Sequence, residues 1–490
     1  MAIPSKFGEL LGKISDQGEK FNKLDSPKCR YYAFLSKIED ISPKDMPIED
    51  QTWAALFEIV PYEWIESLPE DIWESKSPLP ISPASLIETD ETKASDFAEA
   101  LNAKVGEIDE GEWYILEDIE PLEEGSPRPA ETLSTGKVVK GIRSGGDYKR
   151  KGVRTNVKGK PAPVNKRQKL GDKSHTKCRF SDSDIIKKMG DQIPHAIGVM
   201  DVGQAVCNLV YDSVGNPIFY SDVGLPTHRY WPSVQDNILI DPERIYPGPC
   251  LVNNPFVVLS HWDLDHCLMV EHSLNRAALC DLLWVVPDQR RGPAGNNVLS
   301  SLQNVHVWPA NRINPLQSTN NRIKILKCNG NTINDSGLAV AVNTGPDGDE
   351  RWALLPGDAT FQYIRGVADV AYDWITAPHH GSNSRLDTNR IPRPRANNPG
   401  RIAYSYGIMT DNVTHNAIHC YKHPSQNAIP KYISRGWGAG QNQASATAER
   451  GPRSGETPRV RGNIMMCNNI APADCGRPNC PFRNFKVFLL

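Results

Sequence analysis

The fold predicted for the C-terminal part of this chain rests on the stretch FVVLSHWDLDH, residues 256–266. Its first four residues form an apolar run of strand length, and a polar cluster follows where that strand should end. His261, Asp263, Asp265 and His266 place two imidazoles and two carboxylates in this cluster. Imidazole nitrogens and carboxylate oxygens are the ligands that divalent metals take in proteins. The stretch therefore predicts a metal site in a loop at the edge of a β-sheet, rather than an ordinary solvated turn.

Two further apolar runs end in polar motifs of the same kind. The motif GD (357–358) follows the run 352–355, and the motif PHHGS (378–382) follows the run 374–377. A carboxylate can bridge two metal ions, and we expect Asp358 to take that role. His379 and His380 are adjacent and should point in different directions. We therefore expect one of these two histidines to bind metal, and the sequence leaves open which one.

From about residue 193 onward, short apolar runs alternate with turn residues. Most of these runs have strand length, and stretches between them, such as 268–279, could be helical. Many strands with interspersed helices are typical of a layered α/β domain. The motifs DVGQ (201–204) and DVG (222–224) close two early runs and are either part of the site or simple hairpin turns. The apolar runs are 196–200, 208–211, 217–220, 255–259, 282–286, 337–342, 352–355, 374–377 and 402–405.

The net charge of −3 conceals three blocks of different charge. Residues 1–136 carry 12 Lys and Arg against 30 Asp and Glu, and residues 137–190 carry 17 against 4. Residues 191–490 are nearly balanced, with 26 against 24. Blocks of this kind mark segments with different roles. We therefore predict an acidic N-terminal region, a basic linker and the α/β domain, with these boundaries.

The acidic region is predicted to be mainly helical, and the basic segment a flexible linker. Apolar residues recur at helical spacing within 34–41 and again within 53–60. Residues 137–179 have almost no large apolar side chains, so they cannot bury a core. Their densest basic clusters would suit the phosphate backbone of a nucleic acid. These clusters are Lys149, Arg150 and Lys151, and Lys166, Arg167 and Lys169.

The order and spacing of these motifs resemble the metallo-β-lactamase superfamily. The series HxDxDH (261–266), GD and PHHGS is most similar to the hydrolase domain of ComEC-type DNA-uptake proteins. That subgroup also has an Asp-Val-Gly-Gln segment, which DVGQ matches, and a strand start that NDSGL (334–338) matches loosely. It has a late His-Pro pair, which HP (423–424) matches. The resemblance covers roughly residues 195–435.

The resemblance implies an αββα sandwich with two divalent metal ions, zinc or manganese, at the sheet edge. Its aspartate-rich ligand set favours manganese. Asp265 and His423 would be the catalytic residues, and His423 would donate a proton or hold a phosphate. The family has a further histidine between the first motif and GD, but His306 lies in a strand-like run and we expect it to be structural. The implied metal ligands are His261 and Asp263 for one ion, Asp265, His266 and His379 or His380 for the other, and Asp358 between them.

The implied activity is hydrolysis by a metal-activated water. The basic segment favours a phosphodiester substrate, such as a nucleic acid, which would make the protein a nuclease. Two alternatives stay open. The protein could be a signalling enzyme or adaptor of antiviral defence, coupled to a protein partner through the acidic region. It could also hydrolyse a small ester or phosphoester.

Composition also predicts the compartment. No stretch approaches 18 apolar residues, and the N-terminus lacks the apolar core of a signal peptide. We therefore expect a cytoplasmic protein without membrane spans. The 11 cysteines are scattered, which predicts free thiols rather than disulfides. Free thiols are also favoured over a zinc knuckle for Cys467, Cys475 and Cys480.

Overall fold

The chain folds as two compact units. Unit 1 comprises Met1–Thr176 and Arg290–Ser301, and unit 2 comprises Lys177–Gln289 and Leu302–Leu490. Among the residues described, no helix is long and apolar enough to cross a bilayer. The computed structural model describes residues 29–40, 46–68, 84–88, 92–121, 137–139, 153–154, 158–161, 180–226, 239–241, 244–245, 251, 253–273, 275–383, 385–396, 400–407, 423–439, 444–447, 463–467 and 485–489.

Unit 1 is built around one eight-stranded sheet with the strand order β6-β3-β2-β1-β5-β7, in which β4 also pairs with β2 and β8 with β5. Its strands are β1 (Cys29–Asp40), β2 (Thr52–Pro61), β3 (Ser85–Glu88), β4 (Thr92–Lys93), β5 (Trp113–Pro121), β6 (Lys137–Val139), β7 (Val153–Arg154) and β8 (Lys158–Pro161). Its helices are α1 (Tyr62–Glu66), α2 (Ala94–Ala100) and α7 (Pro293–Ser301), with 3₁₀ turns at Ile48–Asp50 and Val105–Glu107.

The prediction of a mainly helical N-terminal region is wrong. The two runs with helical spacing lie in β1 and β2, which pair antiparallel in the middle of the sheet. Leu35 and Phe57 pack into the apolar core on one face of this sheet. Phe34 is buried on the opposite face, where it contacts Trp113. Because both faces are covered, apolar residues do not alternate with polar ones, and the pattern mimics that of a helix.

The basic segment also differs from the flexible linker that its composition predicts. The strands β6, β7 and β8 all lie within it and pair with β3 and β5. Backbone hydrogen bonds at a sheet edge do not require large apolar side chains, so composition alone misses such strands. The N-terminal segment of unit 1 ends at Thr176. The predicted nucleic-acid ligands at 149–151 and 166–169 lie outside the described residues.

Glu58 joins the sheet of unit 1 to helix α7. Its carboxylate is fully buried and accepts hydrogen bonds from the Ala294 backbone N–H at 2.7 Å and the Ser36 hydroxyl at 3.0 Å. A negative charge is stabilised at a helix N-terminus by the unpaired N–H groups there. A side chain at Gly292 would overlap both carboxylate oxygens of Glu58, so this close approach requires glycine. Residues 290–301 therefore fold with unit 1 and interrupt the domain predicted over 191–490.

Unit 2 contains two larger sheets and a ribbon of β12 (Leu239–Asp241) and β13 (Arg244–Ile245). The first sheet has the order β16-β15-β14-β11-β10-β9-β24-β25. It comprises β9 (Ala196–Val199), β10 (Cys207–Tyr211), β11 (Pro217–Val223), β14 (Phe256–Val258), β15 (Leu283–Pro287), β16 (Asn304–Trp308), β24 (Asn463–Cys467) and β25 (Phe485–Leu489). The second follows chain order and comprises β17 (Leu316–Gln317), β18 (Ile323–Lys327), β19 (Leu338–Asn343), β20 (Trp352–Leu355), β21 (Tyr372–Thr376), β22 (Arg401–Tyr404) and β23 (Ala444–Ala446).

The two larger sheets of unit 2 share one apolar core. Phe256 and Val258 of β14 belong to the same cluster as Val340 of β19 and Leu355 of β20. All nine apolar runs of this region overlap strands, which confirms the predicted strand-rich α/β domain as a mixed α/β fold with several sheets and few helices. The helices of unit 2 are α3 (Asp182–Met189), α4 (Leu264–Cys267), α5 (Met269–His272), α6 (Arg276–Asp281) and α8 (Ala428–Ser434), with 3₁₀ turns at Asn334–Ser336, Phe361–Tyr363, Pro378–Gly381 and Thr388–Arg390.

The parallel parts of both sheets explain why the polar motifs can meet. Strands β11, β14, β15 and β16 are parallel, and so are β20 to β23. Loops that follow the carboxyl ends of parallel strands lie at one edge of a sheet, where α/β proteins bind ligands. The first motif follows β14, Asp358 follows β20, and PHHGS follows β21.

The structure describes the side chains of four cysteines, and all four are buried. Cys207, Cys267, Cys280 and Cys328 are all free thiols, which confirms that expectation for these positions. Burial raises the pKa of the Cys280 thiol to about 11. The side chains of Cys467, Cys475 and Cys480 lie outside the described part of the chain.

Candidate metal centre

Two histidines of the first motif are held through their Nδ1 atoms. His266 Nδ1 lies 2.9 Å from Asp222 Oδ2, and His261 Nδ1 lies 2.9 Å from the Ser260 hydroxyl oxygen. The Ser260 hydroxyl donates to Asp222 at 2.8 Å, and therefore accepts from His261. Both Nδ1 atoms thus carry hydrogen and donate to the protein. Such anchoring fixes the ring and leaves Nε2 as the nitrogen that can bind a metal.

His380 is held in the same way on the other side of the site. Its Nδ1 donates to the Ser405 carbonyl at 2.7 Å, and its Nε2 lies 3.2 Å from Asp265 Oδ2. The Asp265 backbone carbonyl in turn accepts from the Val206 N–H at 3.1 Å. Val206 follows the DVGQ motif by two residues, so the loop after DVGQ forms a backbone hydrogen bond with the first motif.

Two aspartates converge on the Nε2 atoms of the first motif. Asp263 Oδ2 lies 3.3 Å from His261 Nε2, and Asp358 Oδ1 lies 3.1 Å from His266 Nε2. Among the described residues, none of these buried nitrogens and carboxylate oxygens has a partner in proper hydrogen-bond geometry. Burying such atoms without partners is costly, and a cation between them would remove that cost. The residues present therefore fit a metal ion.

The electrostatics of the site point the same way. Burial lowers the pKa of His266, but the carboxylates of Asp358 and Asp222 outweigh it and hold this pKa well above its usual range. Burial raises the pKa of Asp358, but His266, His379 and His261 outweigh it and hold this pKa well below its usual range. The buried pocket thus keeps its carboxylate ionised. An ionised carboxylate beside imidazoles attracts a divalent cation that can displace an imidazolium proton.

Two groups of three buried side chains could each hold a metal ion. In each group the ligand atoms lie within 4.8 Å of one another. The groups are His261, His266 and Asp358, and Asp265, His266 and His380.

The two adjacent histidines of PHHGS occupy different positions. His380 is buried and belongs to a ligand group, whereas His379 is 17% exposed and its Nε2 lies 3.8 Å from Asp358 Oδ2. Both residues have left-handed backbone conformations, with φ of 48° and 55°. This turn directs the two rings to different parts of the site, as expected for adjacent residues.

His423 lies beside these histidines, far from them in sequence. Its ring centroid is 6.0 Å from that of His379 and 5.9 Å from that of His380. The Ser425 N–H donates to the Gly381 carbonyl at 2.9 Å, which ties the two segments together. His423 is half-buried and lies outside the two ligand groups, where a side chain could reach a bound molecule.

His306 lies elsewhere in unit 2. Its Nδ1 lies 2.8 Å from the Phe180 carbonyl, and its Nε2 lies 3.4 Å from Asp182 Oδ1 at the start of α3. Neither ligand group contains it. The structure thus gives His306 the packing role that its strand-like surroundings predict.

Three supporting residues could not be recognised as such in the sequence. Ser260 and Asp222 orient the rings of the first motif, and Ser405 orients His380. The DVG motif drew attention to Asp222, but hairpin chemistry explained it equally well. Ser260 and Ser405 follow strands, and nothing in their types separates them from other serines.

Glycine keeps the loops of the centre in close contact. A side chain at Gly337 would overlap the Ser260 carbonyl oxygen and would lie 3.2 Å from His261 Cβ. Gly337→Ala should displace His261, lower stability by about 1–3 kcal/mol and weaken metal binding about tenfold to a hundredfold. Competition with a chromophoric chelator and thermal unfolding measure the two effects. A Cβ at Gly106 meets no atom within 4 Å, so Gly106→Ala is the matched control. Unchanged metal affinity in Gly337→Ala would contradict this role.

No protein-family model matches the chain, and a search of curated proteins finds no match either.

Proposed function

We propose that this protein is a metal-dependent hydrolase of the metallo-β-lactamase type, and that it cleaves phosphodiesters. The observation that carries the proposal is the convergence of buried imidazole Nε2 atoms and carboxylate oxygens that lack hydrogen-bond partners. The two larger sheets of unit 2 share one apolar core, as the two sheets of an αββα sandwich do. The centre follows the carboxyl ends of parallel strands, where α/β proteins bind ligands.

The proposed centre would hold two divalent ions. His261, Asp263 and Asp358 would bind one, and Asp265, His266 and His380 the other. Asp358 could serve both positions, because its Oδ1 lies 3.1 Å from His266 Nε2 and its Oδ2 lies 3.9 Å from His261 Nε2. His379 lies close enough to Asp358 to complete the first position. Carboxylate oxygens are hard ligands, so manganese should serve at least as well as zinc.

Metal ions at such a site activate water as a nucleophile near neutral pH and offset the negative charge that develops on phosphoryl oxygens. The chain supplies the remaining functions. Ser260 and Asp222 keep the two imidazoles of the first motif in one orientation, and Ser405 does so for His380. His423 would donate a proton to the leaving oxygen as the phosphorus–oxygen bond breaks, since it lies beside His379 and His380.

Chelation tests the proposal. We expect prolonged chelation to abolish hydrolysis of bis(p-nitrophenyl) phosphate, and manganese to restore it at least as well as zinc, because buried carboxylates provide half of the ligand set. The measurements are metal content by mass spectrometry and the initial rate with a panel of manganese, zinc and magnesium. Labelled single- and double-stranded DNA and RNA then identify the substrate. Undiminished activity in protein shown to be free of metal would refute the assignment.

A further inference from the structure

Arg385 lies on the loop that follows the two adjacent histidines, and a buried carboxylate holds it. Its Nη1 donates to Asp335 Oδ2 at 3.5 Å. The Arg385 side chain is 45% exposed, whereas that of Asp335 is 3% exposed. The Arg385 backbone is left-handed, with φ of 57°, which is uncommon for a residue with a side chain. The loop thus presents a cation at the surface in a defined conformation.

Asp335 links this cation to the loops of the metal centre. Its Oδ1 accepts hydrogen bonds from the Thr360 backbone N–H and hydroxyl, each at 2.8 Å. Thr360 follows Asp358 by two residues. The segment of Asp335 continues to Leu338, whose N–H donates to the Ser260 carbonyl at 2.7 Å. Asp335 therefore connects the loops that carry the first motif, Asp358 and Arg385. Arg385 follows Ser382 of PHHGS by three residues, and we call this part of the loop the rim of the centre.

The guanidinium of Arg385 has donors to spare. It carries five N–H donors, and arginine–carboxylate pairs are frequently bidentate. Here the ion pair with Asp335 is monodentate and long, and it is the one ion pair of Arg385 among the described residues. The planar fork of a guanidinium matches two oxygens of a phosphate group. An exposed fork at this rim is suited to an anionic ligand.

We propose that Arg385 binds a phosphate group of the substrate, and that Asp335 is a positioning residue that holds Arg385 in place. A phosphodiester is anionic, and the carboxylates of Asp263, Asp265 and Asp358 repel it. A cation at the rim offsets this repulsion and orients the ester bond towards the centre. This inference rests on the proposed phosphodiesterase function and names the residue that recognises the anion.

A neighbouring arginine provides the matched control. Arg390 pairs with Asp387 at 4.0 Å, and both side chains are largely exposed, at 67% and 46%. The Asp387 side chain accepts a hydrogen bond from the Asn389 N–H of its own loop and, among the described residues, makes no contact with the metal-centre loops like that of Asp335. Arg390 should therefore be an ordinary surface cation. Removing its charge should leave substrate binding unchanged.

The test compares Arg385→Asn, Arg385→Lys and Arg390→Asn in the full-length, manganese-loaded protein. Asparagine tolerates the left-handed backbone of position 385, so the loop should keep its conformation. We expect Arg385→Asn to raise KM for bis(p-nitrophenyl) phosphate about tenfold to a hundredfold with little change in kcat. The affinity for inorganic phosphate, measured by calorimetry, should fall by a similar factor. Lysine should restore part of both, because it keeps the charge and lacks the fork.

The outcomes separate this inference from the proposed function. If the wild-type protein hydrolyses the phosphodiester and Arg385→Asn leaves KM and phosphate affinity unchanged, Arg385 is a structural ion pair and the inference is wrong. Equal losses in Arg385→Asn and Arg390→Asn would also refute it, because a general charge effect would explain both. If the wild-type protein hydrolyses no phosphodiester with any metal, the proposed function fails. Calorimetry with inorganic phosphate then still tests Arg385 as an anion ligand.

Discussion

Replacing Asp265 by alanine should remove one metal ion and lower phosphodiester turnover about a thousandfold or more. Asp265 Oδ2 lies 3.2 Å from His380 Nε2, and Oδ1 lies 4.0 Å from His266 Nε2, so the carboxylate joins two imidazoles. A metal contributes several kcal/mol of charge stabilisation to the transition state, and each 1.4 kcal/mol is about tenfold in rate. Metal content by mass spectrometry and the initial rate measure the two losses.

His306→Ala is the control for this prediction. His306 is also a buried histidine of unit 2, but it contacts Phe180 and Asp182 instead of the metal centre. We expect its replacement to lower stability and to leave the metal content unchanged. If His306→Ala loses metal as Asp265→Ala does, the ligand set argued above is incorrect.

Replacing Glu58 by alanine should destabilise the protein by about 2–4 kcal/mol. The buried Glu58 carboxylate accepts hydrogen bonds from the Ala294 N–H and the Ser36 hydroxyl, and its charge faces the N-terminus of α7. The substitution leaves both donors without this acceptor and opens a cavity. Chemical denaturation measures the change. Glu49 is exposed in a 3₁₀ turn, so Glu49→Ala should change stability by no more than about 0.5 kcal/mol.

The contact between Glu58 and α7 changes the expected effect of deleting the N-terminal region. Residues 1–136 differ in charge from the rest of the chain, and by that criterion they look like a module that could be removed without harm to unit 2. However, Pro293 to Leu299 of α7 are all buried, and α7 folds with the N-terminal unit. Removing the rest of the N-terminal unit would expose this helix, so we expect the truncated protein to be less stable. If Glu58→Ala unfolds at the same denaturant concentration as the wild-type protein, the contact between Glu58 and α7 is not important for stability.

The candidate site was largely predictable because its side chains follow strands directly. A run such as FVVL ends at a sheet edge whatever the rest of the fold does, and the residues after it must lie in a loop. The ligands of the first motif lie within six residues of one another, so their proximity required no tertiary information. Only the resemblance to the metallo-β-lactamase superfamily indicated that Asp358 and His380 belong to the same site as the first motif. Their spacing along the chain does not show that they lie close to it.

The N-terminal unit was predicted poorly for a physical reason. Its central strands are buried on both faces, so they lack the alternation of apolar and polar residues that identifies a strand. Adjacent apolar residues such as Phe34 and Leu35, which lie on opposite faces of the sheet, therefore fit a helical pattern. The strands β6, β7 and β8 are three, two and four residues long, and none of them has an apolar side chain larger than valine. Their pairing depends on backbone hydrogen bonds, which composition does not record.

The sequence by itself determined nine of the strands described in unit 2 and the chemical types of the candidate ligands, because both are properties of short segments. Only the tertiary structure decided that His380 rather than His379 belongs to a ligand group, since the left-handed turn directs the two rings differently. It also decided that Asp222 and Ser260 orient the imidazoles. It placed residues 290–301 with the N-terminal unit. Each of these depends on which distant segments pack together, and side-chain packing over long sequence separations leaves no local pattern to detect.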